Sequence, residues 1–152
     1  MTNQETSWDA TTIVVGLEQA KKLKEAGWPQ VTPQHPTSLF YWAHFIGLEE
    51  PALVYAGKVE LIRFDEFNFL LSAPTAEEIL RRLPDVLKVK EGYTAPLLVT
   101  HRAWEERGWY VMYSTGLRYG DEKGEVTSAD TLANAASKMW CYLKEQNLLP
   151  IA

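Results

Sequence analysis

Three segments of the chain place apolar residues at helical spacing, with charged and polar residues on the opposite side. In residues 17–26, apolar side chains recur about every third position, between Gly16, an acceptable N-cap, and Gly27, which suits the C′ position. The second segment follows Thr75, and Glu78 three residues later completes a capping box. The third segment is the longest. We predict three helices.

The third segment runs over residues 128–147, with Ser128 as the expected cap. On a helical wheel, the apolar residues of this segment occupy one half of the surface. Ser137 and Lys138 belong to the polar half, and Cys141 lies at its centre. This pattern predicts a long C-terminal helix that packs one face against the rest of the domain and leaves the Cys141 thiol exposed or partly covered.

Short segments rich in β-branched and aromatic residues predict strands between the helices. They are residues 12–15, 38–45, 53–55, 59–64, 67–71, 97–103 and 109–115. Residues 56–58 suggest a first hairpin, and a four-residue loop at 105–108 suggests a second, with Trp104 opposite Trp109. Because large side chains occur on both faces of residues 109–115, we expect that strand to be central.

The order of these elements predicts the α+β class. We expect one domain over residues 12–152, with a mostly antiparallel sheet of about four to six strands packed against two or three helices. The length of 152 residues suits a single domain. Residues 1–11 are polar and are predicted to be a flexible N-terminal segment.

Charge and composition exclude several functional classes. There are 20 acidic and 15 basic residues, a formal net charge of −5, and no long basic stretch, so nucleic-acid binding is not expected. The single Cys allows no internal disulfide. No apolar run is long enough to cross a membrane and no signal-peptide pattern occurs, so we expect a cytoplasmic protein without membrane contact.

The chemistry-bearing residues form no recognisable catalytic or metal-binding pattern. His35, His44 and His101 lack the spacing of metal ligands, and no second Cys is present for a thiolate site. Adjacent acidic residues on a strand point to opposite faces and do not converge on one ligand. We therefore predict no catalytic residue, no metal and no cofactor.

Three segments together resemble small, uncharacterised proteins encoded by bacteriophages and prophages. They are residues 17–27, 72–80 and 131–144, and the aromatic cluster at 40–42 and the strand at 109–113 also fit that pattern. The resemblance implies an origin and a small mixed fold. It brings no known activity, and so no catalytic residue.

The aromatic content suggests an interaction surface. Six Trp, seven Tyr and five Phe exceed what a core of this size requires. Our leading hypothesis is a non-enzymatic phage or prophage accessory protein that binds another protein or a second copy of itself. The candidate surface residues are Trp28, Phe40, Trp42, Trp104 and Trp109.

A second hypothesis keeps small-molecule chemistry open. His101, Arg102 and nearby Tyr residues would then line a cleft that binds a metabolite or forms an unrecognised active site. A third hypothesis, a structural component of a virion, would require many copies in a symmetric assembly, and no feature of the sequence favours or opposes it.

Overall fold

The fold was analysed in a computed structural model, which describes residues 12–30, 40–55, 66–88, 94–103, 107–113 and 126–149. The predicted flexible segment 1–11 lies outside the described residues, as do the turn 56–58 and the second strand 59–64 of the first predicted hairpin. The described ranges form three helices and seven strands, which confirms the α+β class and the long C-terminal helix.

The elements follow one another along the chain with their bounds as follows. They are α1 (Leu17–Ala26), β1 (Phe40–Phe45), β2 (Ala52–Tyr55), β3 (Phe67–Ser72), α2 (Ala76–Leu80), β4 (Val86–Lys88), β5 (Thr94–Arg102), β6 (Gly108–Tyr113), β7 (Val126–Ala129) and α3 (Leu132–Glu145).

The strands form two antiparallel sheets, not a single one. The first has the order β2-β1-β3 and the second the order β4-β5-β6-β7. Helix α2 lies between β3 and β4 in the chain, so the strands before it form the first sheet and the strands after it form the second. The predicted central position of β6 is confirmed, because it pairs with both β5 and β7.

The ends of α1 and α2 follow the local signals. Gly27 adopts a φ of 100° at the end of α1. In this conformation its N–H donates to the Lys24 carbonyl oxygen at 3.0 Å, and the Trp28 N–H donates to the Leu23 carbonyl oxygen at 2.9 Å. Before α2, the Thr75 Oγ1 accepts from the Glu78 N–H at 3.2 Å, and the Glu78 carboxylate accepts from the Thr75 N–H at 2.7 Å. The capping box is confirmed.

Helix α3 begins three residues later than predicted. Its N-cap is Thr131, whose Oγ1 accepts from the Asn134 N–H at 3.2 Å. Ser128, the expected cap, belongs to strand β7 and pairs with Tyr110. Pairing with β6 holds this segment extended, and a tertiary contact thus overrides a local capping signal.

The register of the β5–β6 hairpin also differs from the prediction. Trp109 lies opposite His101, and Gly108 lies opposite Arg102, whereas the predicted register placed Trp109 opposite Trp104. A Cβ at Gly108 would lie 2.8 Å from the Ala129 carbonyl oxygen. Glycine at this position, the first of β6, therefore allows the backbones of β6 and β7 to approach this closely.

The main core lies where α3 contacts α1, α2, β6 and β7. Ala136, Met139 and Leu143 are fully buried in it. Ser137, predicted on the polar half of α3, is also fully buried. Because helices and a sheet contact α3 from different directions, its buried arc is wider than the apolar half of the wheel.

Candidate functional site

Two of the five candidate surface rings lie in the core. Trp28 is 2% exposed; the Trp140 ring packs edge-on against it at 5.0 Å, and the Arg82 guanidinium lies 4.6 Å from its centroid. Phe40 is also buried, with its ring 5.4 Å from that of Tyr55. Neither ring is available to a partner.

Of the three remaining candidate rings, the two that the structure describes do not form a common surface. Trp42 is half-buried on β1, where its Nε1–H donates to the Val15 carbonyl oxygen at 2.9 Å. Trp109 is half-buried on β6 and stacks with the His101 ring at 4.5 Å. Trp104 lies outside the described residues. The two described rings belong to different sheets.

The residues of the alternative cleft lie on opposite faces of β5. His101 contacts Trp109 on one face, whereas the Arg102 guanidinium lies 4.7 Å from the Tyr110 ring on the other. Successive residues of a strand alternate between faces, so these two side chains do not converge.

Both ring nitrogens of His44 have a hydrogen-bond partner in nearby residues. Its Nε2 lies 2.8 Å from the Leu48 carbonyl oxygen, and its Nδ1 lies 3.1 Å from the Asn68 side-chain amide nitrogen. His35 lies outside the described residues. Among the residues that the structure describes, no three His, Cys, Asp or Glu side chains group as a metal site.

Cys141 is half-buried on α3, in agreement with a partly covered thiol. Burial, together with the nearby Glu145 carboxylate, raises the pKa of the Cys141 thiol to about 11, although Lys22 and the Ser137 hydroxyl act in the opposite direction. A raised pKa is the reverse of what a nucleophilic cysteine requires.

We expect native Cys141 to react slowly with iodoacetamide. With its pKa at about 11, roughly one thiol in a thousand is ionised at pH 8, against roughly a quarter at the ordinary pKa of about 8.5. The measured labelling rate should therefore keep rising between pH 8 and 10 in the native protein and level off much earlier in urea. A native plateau near pH 9 would contradict the assignment.

An apolar row crosses all four strands of the second sheet on one face. We call this surface the outer face and define it by five side chains: Val86, Pro96, Leu98, Met112 and Val126. Leu98 lies opposite Met112, which lies opposite Val126, and Val86 lies opposite Pro96. Residues 96 and 98 share one side of β5, so the five side chains are neighbours.

The other side of this sheet is covered by α3. Val111 and Tyr113 are fully buried there, and the Thr127 hydroxyl donates to the Ala135 carbonyl oxygen of α3 at 2.8 Å. On the outer face, by contrast, Val86 is 51% exposed and Val126 is 54% exposed. One face of the sheet builds the core, while apolar side chains on the other remain accessible.

The sequence indicates this apolar surface, although the hypothesis of an aromatic interaction surface did not use that indication. Residues 95–99 are five consecutive apolar residues, so both faces of β5 carry apolar side chains. Such a run is typical of a strand that is covered on both sides. Here α3 covers one side only.

Comparison of the chain with protein-family models, curated proteins and solved structures finds no match. Within the described ranges, none of the helices has the length and apolar character needed to cross a membrane. Inference about function therefore rests on the surface of the domain itself.

Proposed function

We propose that this protein is a non-enzymatic protein-binding domain and that the outer face is its interaction surface. The observation that carries the proposal is the apolar row across β4, β5, β6 and β7, with half-exposed valines at the two edge strands. Soluble monomers rarely expose large contiguous apolar patches unless these bind something.

The energetics favour an apolar partner surface. Fully burying an exposed valine contributes about 1.5–3 kcal/mol, and the two edge valines retain half of their surface for this purpose. Leu98 and Met112 between them are half-buried and add further apolar area. A partner that covers the row would gain mainly hydrophobic free energy, with little need for charge pairing.

The biological setting forms part of the same proposal. The resemblance of residues 17–27, 72–80 and 131–144 to phage and prophage proteins favours an accessory role in infection or lysogeny. The partner would then be a host or phage protein with an apolar surface, and the complex would form in the cytoplasm.

The test compares two sets of valine substitutions. The double variant Val86→Lys/Val126→Lys places charges at both ends of the row, and Val99→Lys is the matched control. Val99 is 39% exposed on β5 but lies opposite Val111, on the other face of the sheet. A protein recovered from bacterial lysate by the unmodified chain is purified and titrated against all three.

We expect the double variant to bind that protein at least about tenfold more weakly, because charged groups at the row would have to be desolvated. Val99→Lys should bind as the unmodified chain does. If the partner is a second copy of the chain, sedimentation of each purified chain measures whether the substitutions weaken that self-association. Equal binding and equal sedimentation for all three chains, each folded by circular dichroism, would refute the proposal.

A further inference from the structure

The turn between β1 and β2 presents two exposed apolar side chains. Ile46 is 62% exposed and Leu48 is 57% exposed, which are larger fractions than those of the two edge valines of the outer face. We call residues 46–50 the apolar turn, and all five of them are exposed. The turn belongs to the first sheet, whereas the outer face belongs to the second. The domain therefore exposes apolar side chains at a second, separate place.

Hydrogen bonds hold the apolar turn in one shape. The Leu48 N–H donates to the Phe45 carbonyl oxygen at 3.2 Å, and the Ile46 N–H donates to the Glu66 carbonyl oxygen at 3.0 Å. The Leu48 carbonyl oxygen lies 2.8 Å from the His44 Nε2. A segment whose shape is fixed before binding loses little conformational freedom when it is covered. The turn is thus suited to enter a contact without rearrangement.

The apolar turn and the outer face carry charges of opposite sign. The Glu49 and Glu50 side chains of the turn are exposed. In the second sheet, Lys88 is exposed on the side that carries the apolar row, and the Arg102 guanidinium lies on the same side, 4.7 Å from the Tyr110 ring. None of the described strand residues on that side is acidic. The turn is therefore apolar and acidic, and the outer face is apolar and basic.

The two surfaces are complementary, and one chain contains both. Opposite charges around two apolar surfaces favour their encounter and fix their relative orientation, while apolar burial supplies most of the affinity. Two outer faces would bring like charges together, as would two apolar turns. The pairing that satisfies both the apolar and the charged groups joins the turn of one copy to the outer face of another.

Resting on the proposed function of the outer face, we propose that its occupant is the apolar turn of a second copy of this chain. Ile46 and Leu48 of one copy pack against the apolar row of the next, and the turn carboxylates lie beside Lys88. The contact is heterologous, so successive copies form an open chain or close into a ring. Because the turn supplies five residues and a standard interface about 20–30 per side, each contact is weak.

The test is sedimentation velocity at increasing protein concentration. Ile46→Ser/Leu48→Ser removes the apolar side chains of the turn, and Val86→Asp/Val126→Asp places negative charges on the outer face. We expect the sedimentation coefficient of the unmodified chain to rise with concentration, and each double variant alone to associate at least about tenfold more weakly. An equimolar mixture of the two variants should form a dimer that grows no further, because each supplies the surface that the other lacks.

Tyr55→Ser is the matched control, since Tyr55 is 66% exposed in the first sheet but lies outside the apolar turn. This variant should associate as the unmodified chain does. An unmodified chain that stays monomeric, or a mixture of the two folded double variants that does not dimerise, would overturn the inference. Either result leaves the outer face available to a different protein, which the titration of the lysate partner tests separately.

Discussion

Replacing Trp28 by alanine is expected to lower the free energy of unfolding by about 3–5 kcal/mol, the usual cost of truncating a buried aromatic residue. The ring is 2% exposed and lies between the Trp140 ring and the Arg82 guanidinium. Its removal would leave a cavity bordered by α3 and by the turn that follows α2. Urea unfolding followed by far-ultraviolet circular dichroism measures the loss without relying on tryptophan fluorescence.

The control is Trp28→Phe, which keeps an aromatic ring. The Trp28 Nε1–H is buried and has no acceptor among the described residues. The substitution by Phe therefore removes an unsatisfied donor and only part of the packing contacts of the ring. We expect this variant to lose clearly less stability than Trp28→Ala. A loss below about 1 kcal/mol for Trp28→Ala would instead support the original hypothesis of an exposed ring.

The second large effect is expected at Leu143, where substitution by alanine should cost about 2–5 kcal/mol. This side chain is fully buried on α3, the helix that α1, α2, β6 and β7 all contact. A cavity at this position would weaken the packing of several elements together. Thermal and urea unfolding of the variant give the change in free energy.

Leu148→Ala is the matched control for that experiment. Leu148 is 43% exposed just beyond the end of α3, and its backbone N–H donates to the Leu143 carbonyl oxygen at 2.9 Å, a bond that neither substitution removes. We expect a change within about 0.5 kcal/mol at this position. Similar losses at Leu143 and Leu148 would mean that the C-terminal helix does not pack as described.

Local signals predicted those features whose interactions close within a few residues. The glycine that ends α1 and the Thr75–Glu78 capping box involve bonds between positions at most five apart, so the sequence contains both partners together. The start of α3 was predicted wrongly because Ser128 pairs with Tyr110, eighteen positions away. Capping propensity alone could not show that pairing.

Which side chains are exposed at the surface depends even more on contacts between residues that are distant in the sequence. The sequence does not show whether the Trp28 ring is covered by another residue of the chain or by a partner protein. In the structure, Trp140 covers it. The apolar run at 95–99 did indicate that both faces of β5 are apolar, but not which face α3 would leave open.

The sequence alone determined the helices, most of the strands and the mixed class of the domain, because periodicity, caps and turns act over a few residues. The tertiary structure decided the division into two sheets, the hairpin register, the burial of Trp28 and the exposure of the outer face. These depend on which surfaces meet across the fold, and therefore on packing free energies that no single segment contains.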